Sequence, residues 1–146
     1  MASKILKTVI TLFAGLFLFT HMYSFVIEQQ YPPVGKFADV GGFKLHYVDI
    51  PAGPGADLPT LVFIHGASSN LLDQKLAFET PLKGRGRLIF VDRPGHGYSQ
   101  SGGTQYNTPA KQAEAIAALL DKLSINKAVI IGHSYGGAVT AAFAVL

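Results

Sequence analysis

The chain is 146 residues long, 49% hydrophobic and only 14% charged, with a formal net charge of +3 and no cysteine. That length holds one ordinary domain. Lack of cysteine excludes disulfides and thiolate metal sites, and basic residues that are scattered rather than clustered argue against nucleic-acid binding.

The apolar excess lies at the N-terminus. After a basic region, residues 1–7 with Lys4 and Lys7, no Asp, Glu, Lys or Arg occurs from Thr8 to Ile27. A helix of about 20 such residues spans about 30 Å, the thickness of a hydrocarbon core. A transmembrane anchor, a cleaved signal peptide and a buried core helix all fit that length. Lys4 and Lys7 ahead of Val9–Phe19 match the n- and h-regions of a signal peptide. Against cleavage, Thr20-His21-Met22-Tyr23-Ser24-Phe25 has no Ala-x-Ala-like site, and Tyr23 and Phe25 suit interfacial anchors. A single-pass signal-anchor over residues 8–27 is therefore the preferred expectation. The positive-inside bias then leaves Lys4 and Lys7 in the cytoplasm and the rest of the chain outside, periplasmic or extracellular. Cleavage would instead give a secreted protein.

Residues 28–35, Glu28 to Gly35 with Pro32-Pro33, read as a short stiff linker. From there the pattern is one of alternating strands and helices over residues 36–146. Gly41-Gly42 marks a turn and Phe43–Ile50 a strand, with Phe43, Leu45 and Tyr47 alternating against Lys44, His46 and Val48. Pro51 to Pro59 is a loop. Leu61–Ile64 is an all-apolar run, as expected of a strand buried on both faces. It ends in His65-Gly66-Ala67-Ser68-Ser69-Asn70, and Leu71–Phe78 suits a short helix. Leu88–Val91 is a second buried strand, followed by Asp92-Arg93-Pro94-Gly95-His96-Gly97-Tyr98-Ser99. Thr108 caps a helix whose first residue, Pro109, needs no N–H. Ala113, Ile116, Ala117, Leu120 and Leu123 line one face of it. Ala128–Ile131 is a third buried strand, and an Ala-rich helix starts at Tyr135 and runs to Leu146. Strands separated by helices predict an α/β fold with a mostly parallel sheet.

Gly132-His133-Ser134-Tyr135-Gly136 fits the Gly-x-Ser-x-Gly pattern between a buried strand and a helix, the nucleophile elbow of serine hydrolases. Such a turn needs small neighbours on both sides of the serine, because the backbones pass closely. His65-Gly66-Ala67, at the end of another buried strand, can aim the Ala67 N–H at a developing oxyanion. The Tyr135 N–H would be the second donor. Ser134 as nucleophile and the Ala67 and Tyr135 amides as oxyanion donors are the candidate site. His133 within the elbow and His96 within a turn read as structural. None of the five histidines forms an i, i+4 pair, which argues against a metal site. No Gly-x-Gly-x-x-Gly or P-loop is present, so no nucleotide cofactor is expected.

With these pieces in order, the chain resembles the N-terminal half of an α/β-hydrolase over Leu61–Asn70, Leu88–Ser99 and Leu123–Gly137. Asp92–Ser99 is similar to the family's Asp-x-x-Gly-x-Gly-x-Ser turn, which is structural there, so the resemblance gives Asp92 no catalytic role. Ser124 stands where relatives often have Gly after a helix, a departure that affects a cap. Related dehalogenases and epoxide hydrolases carry Asp at the elbow, so Ser134 speaks against both activities.

The family order is Ser, then Asp or Glu, then His, and neither acid nor histidine follows Ser134 in this sequence. The expectation is a fragment of a longer protein, poorly folded alone and turning over negligibly; a natural short protein with a different role is the alternative. Its intact form would be a membrane-anchored serine hydrolase acting on an ester or related acyl small molecule without a cofactor. The alternatives are a non-catalytic anchored binding module or pseudoenzyme, a carbon–carbon bond hydrolase and a cofactor-free haloperoxidase. Oligomeric state is left open.

Overall fold

Successive residues of a strand point to opposite faces of its sheet, and the two central strands are apolar at every position. In the computed structural model, which describes residues 2–146, Val62 and Ile64 of β3 (Leu61–Ile64) enter one hydrophobic cluster. Leu61 and Phe63 enter another. In β4 (Leu88–Val91), Ile89 and Val91 join the first cluster, Leu88 and Phe90 the second. Both strands are therefore sandwiched between layers, as an unbroken apolar run requires.

The five strands are ordered β1-β2-β4-β3-β5. β3 pairs in parallel with β4 on one side and with β5 (Val129–Gly132) on the other. β1 (Lys36–Asp39) and β2 (Lys44–Ile50) are antiparallel additions, β2 pairing with β4. The sheet is thus mixed rather than simply parallel. A strand at Lys36–Asp39 was not expected, since four residues with three exposed carry too little pattern. In β2 the expected face of Leu45 and Tyr47 is buried, and so are His46 and Val48 opposite.

Helix α2 (Leu71–Leu82) covers the face of Leu61, Phe63, Leu88 and Phe90. It is capped by Asn70, whose side chain accepts from the Leu72 amide, and it runs past the expected end at Phe78 to include Pro81. Helices α3 (Pro109–Lys122) and α4 (Tyr135–Phe143) cover the other face. The Thr108 cap and Pro109 start of α3 are as expected, and a short 3-10 turn, Thr104–Asn107, precedes it. On α3, Ala113, Ile116 and Leu120 are buried as expected, together with Gln112, Ala115 and Leu119, whereas Ala117, read onto the same face, is half-buried and outside the core cluster.

Two compact units divide at Pro33/Val34, the second being Val34–Leu146. The first contains a single helix, α1 (Ala2–Gln30), longer than the expected 8–27 span and reaching into the expected linker. Its segment Ser3–Gln30 has a window of mean hydropathy 1.8 and is long and apolar enough to cross a membrane. Of the basic region, Met1 lies outside the described residues.

Candidate active site

The connections after β3 and β5 leave the sheet on opposite faces, to α2 and α4 respectively. Adjacent parallel strands whose continuations diverge in this way open a crevice at their C-terminal ends. Into that crevice fall the His65-Gly66-Ala67 turn and the Ser134 turn. The two strand ends are tied together by the His133 amide, which donates to the Ile64 carbonyl at 3.0 Å.

Ser134 occupies φ 52° and ψ −117°, one of two non-glycine residues with positive φ among those described. A side chain costs on the order of 1–3 kcal/mol in such a conformation and persists only where the surroundings impose it. Here they do. A Cβ on Gly132 would run into the Gly136 carbonyl and Thr140 Oγ1, and one on Gly136 into the Ile64 carbonyl. Only glycines allow the strand, the serine turn and the helix to pass so closely. Ser134 is exposed and, although it precedes α4, its side chain caps no amide, so the hydroxyl is not engaged by the helix. The Tyr135 N–H lies in the first turn of α4, among amides with no partner in their own helix.

Gly66, Ala67, Ser68, Ser69, Asp73, His133 and Ser134 line one open cleft of about 460 Å³. Ala67 also borders a second, of about 420 Å³, together with Arg93, His96, Gln112 and the Tyr135 side chain. The structure therefore brings Ser134 and Ala67 to one cleft. The Tyr135 amide adjoins Ser134 in the chain, while its ring lies in the neighbouring depression.

Behind the Ala67 turn is a buried polar network that the sequence did not disclose. Arg93 is 1% exposed. Its Nε donates to the His65 carbonyl at 3.0 Å, Nη2 to the Gly66 carbonyl at 2.8 Å, and Nη1 to Gln112 Oε1 at 2.9 Å. Its guanidinium also lies 4.8 Å from the centre of the Tyr135 ring. Burial pushes the guanidinium down from its ordinary value, but arginine starts so high that the charge is kept.

His65 has its tautomer fixed by its partners. Nε2 accepts the Arg93 amide at 3.1 Å, so Nδ1 carries the proton and donates to the Gly66 carbonyl at 2.8 Å. Desolvation is the main reason that its pKa falls to about 4. A fully buried, neutral imidazole with both nitrogens engaged cannot collect a proton from Ser134. His96 is also occupied: its Nε2 is 3.0 Å from the Ala67 carbonyl and its Nδ1 3.1 Å from the Pro94 carbonyl.

Asp92 is the hub of the turn that follows β4. One carboxylate oxygen accepts the Leu71 amide at 2.7 Å; the other accepts His46 Nδ1 at 2.7 Å and the Tyr98 amide at 3.0 Å. Ser99 Oγ donates to the Asp92 carbonyl and accepts the His46 amide. These bonds join β2, the start of α2 and the 92–99 turn, which is the structural work expected of that motif. The sequence signal that could have exposed Arg93 is a cation two residues past the end of a fully buried strand, where it must be paired or excluded. Among the described residues no three His, Asp or Glu side chains gather as a metal site.

Residues 61–146 match the sequence profile of the alpha/beta hydrolase family. The dihydrolipoyllysine-residue acetyltransferase component of the acetoin cleaving system of Cupriavidus necator is 38% identical over 120 residues, covering 81% of this chain and 30% of that protein. The 2-(acetamidomethylene)succinate hydrolase of Mesorhizobium japonicum is 32% identical, over 75% of this chain and 37% of its own length. Among solved structures, the enol-lactonase from Burkholderia xenovorans is similar with a TM-score of 0.66 and 27% identity, covering 75% of this chain and 41% of that one. An epoxide hydrolase matches with the same TM-score and identity, over 36% of its length. The chain spans less than half of each of these relatives.

Proposed function

The chain belongs to the alpha/beta hydrolase family, and from that premise we propose that the full-length protein is a membrane-anchored serine hydrolase of carboxylic esters or related acyl compounds. The observation that carries this reading is Ser134 in its strained turn, sharing a cleft with Ala67. In the proposed reaction, Ser134 Oγ attacks the acyl carbonyl as a base removes its proton. The carbonyl oxygen becomes an oxyanion held by the Ala67 and Tyr135 amides, the proton passes to the departing alcohol, and water then releases the acid. His46, His65 and His96 are engaged in the network behind the site. His133 lies within the elbow ahead of Ser134, whereas the family order of Ser, then acid, then His calls for a later histidine. The base and its acid partner are therefore assigned to residues outside this chain. The likeness to an enol-lactonase and to 2-(acetamidomethylene)succinate hydrolase supports acyl chemistry. The serine at the elbow, where related epoxide hydrolases carry Asp, speaks against epoxide opening.

The anchoring part of the proposal rests on α1. Along it, Thr8 Oγ1 donates to the Lys4 carbonyl, Thr20 Oγ1 to the Leu16 carbonyl, and His21 Nδ1 bonds the Phe17 carbonyl at 3.1 Å. Polar side chains satisfied within their own helix suit lipid, where no water is available. Lys4 and Lys7 place the N-terminus in the cytoplasm and the hydrolase domain outside.

Hydrolysis of a short p-nitrophenyl ester by the full-length protein tests the chemistry. Ser134→Ala should lower kcat at least about a thousandfold, and a variant that keeps full activity would end the serine-hydrolase reading. Carbonate-washed membranes should retain the protein. Recovery of a soluble form beginning between Met22 and Gln30 would replace the anchor by a cleaved signal.

A further inference from the structure

We propose that Arg93 is a positioning residue of the oxyanion site, aiming and polarising the Ala67 amide from behind the turn. This rests on the serine-hydrolase reading above and goes further, because it assigns a role to a side chain that is 1% exposed and acts through the Ala67 peptide.

The argument starts from peptide geometry. A trans peptide is planar, so the N–H of one residue points opposite to the carbonyl of the residue before it. Arg93 holds the carbonyls of His65 and Gly66 through Nε and Nη2. The Gly66 and Ala67 amides are thereby turned away from the guanidinium, and Ala67 faces the cleft it shares with Ser134. His65 Nδ1 reinforces the same choice, donating to the Gly66 carbonyl at 2.8 Å. With its carbonyl held by two donors, the Gly66–Ala67 peptide has little freedom to flip.

Charge adds to orientation. A hydrogen bond from a cation draws electron density through the amide and makes its N–H a stronger donor. The Gly66 carbonyl receives such a bond, so the Ala67 N–H on the far side of the same peptide is polarised toward the cleft. Lysine cannot replace this arrangement: a rigid fork reaches two successive carbonyls and a third acceptor at once, whereas an ammonium is a single point. That third acceptor, Gln112 Oε1, belongs to a side chain fixed by its own Nε2 donating to the Tyr106 carbonyl at 2.9 Å. The Tyr135 ring packs over the guanidinium, linking the oxyanion turn to the residue after the nucleophile.

The test compares Arg93→Lys and Arg93→Met with Arg87→Met in the full-length protein. Arg87 is an equally well-held anchor, paired with Asp49 through two hydrogen bonds and bonded to the Leu123 carbonyl, but it precedes the opposite end of β4. Ester hydrolysis is read as kcat and KM beside thermal stability. Both Arg93 variants should lose about ten- to a hundredfold in kcat with KM changed less than about threefold. Arg87→Met should lose stability alone. If Arg93→Met does not fold, Arg93→Lys decides. The inference is overturned if kcat is unchanged, if Arg87→Met loses kcat in the same proportion to its lost stability as the Arg93 variants do, or if neither Arg93 variant folds, which would make Arg93 a fold anchor only. Ser134→Ala, run alongside, separates the two claims. Activity that survives it sinks the serine mechanism, whereas a dead Ser134→Ala with active Arg93 variants sinks only the positioning role.

Discussion

Gly66 lies so close to Ser134 that a Cβ built on the glycine would stand 3.3 Å from the serine's Cβ and 3.0 Å from His133 Nδ1. That proximity is how a turn after β3 and a turn after β5 become one site. It also makes Gly66→Ala an informative change. The added methyl must displace the serine turn or the His133 ring by a few tenths of an ångström, a mild overpacking worth about 1 kcal/mol. Stability should fall by about that amount, and kcat by about tenfold or more as the Ser134–Ala67 geometry shifts. Gly137→Ala is the control. Its methyl would meet nothing nearer than the Gly132 carbonyl at 3.8 Å, and it should raise stability by about 0.5–1 kcal/mol through helix propensity. Equal kinetics for the two variants would contradict this.

The buried neutral His65 predicts a pH dependence of stability. Its pKa is about 4 in the folded protein against an ordinary 6.5, mainly through desolvation. Between those values the unfolded chain binds a proton that the native one does not, so stability rises with pH in that window. The contribution is complete above about pH 6.5 and is lost progressively toward pH 4, to a limit of about 3 kcal/mol. Urea melts from pH 7.5 to 4.5 should show this slope in the wild type and a shallower one in His65→Gln. Parallel slopes would mean that His65 is not the group involved.

Ser124 holds φ 54° at the end of α3. Its amide donates to the Asp121 carbonyl, and that of Ile125 to the Leu120 carbonyl at 2.9 Å, the paired bonds of a helix end closed by a left-handed residue. Glycine adopts that conformation without the penalty a side chain incurs. Ser124→Gly should therefore raise stability by about 0.5–1 kcal/mol and leave hydrolysis unchanged. A fall in melting temperature would show that the serine hydroxyl matters more than the backbone strain.

The central sheet was legible because full burial leaves an unambiguous trace. Leu61–Ile64 and Leu88–Val91 are buried strands over the residues expected. Ala128–Ile131, expected to be buried too, is displaced by one to Val129–Gly132 and is only half-buried with Val129 exposed, because β5 pairs with β3 alone at the edge of the sheet. Thr108-Pro109 marked the start of α3 because a cap and a missing N–H are local matters. The strand β1 was not legible: Lys-Phe-Ala-Asp is defined by its pairing with β2, and pairing is not written in four mostly exposed residues. Helix α4 ends at Phe143 rather than Leu146. Of the candidate site, Ser134 and its glycines could be read because steric need fixes their spacing. Arg93 and Gln112 could not, because they meet across nineteen positions only after β4 and α3 have packed.

The most direct measurement is the site of covalent labelling by a fluorophosphonate in the full-length protein. Serine attack at phosphorus expels fluoride and leaves a stable phosphonyl adduct, so peptide mapping by mass spectrometry identifies the nucleophile without reference to any substrate. The adduct should lie on Ser134 alone and be absent from Ser134→Ala. A folded full-length protein that possesses the downstream acid and histidine yet carries no adduct, or carries one elsewhere, would contradict the assignment of Ser134 as the nucleophile.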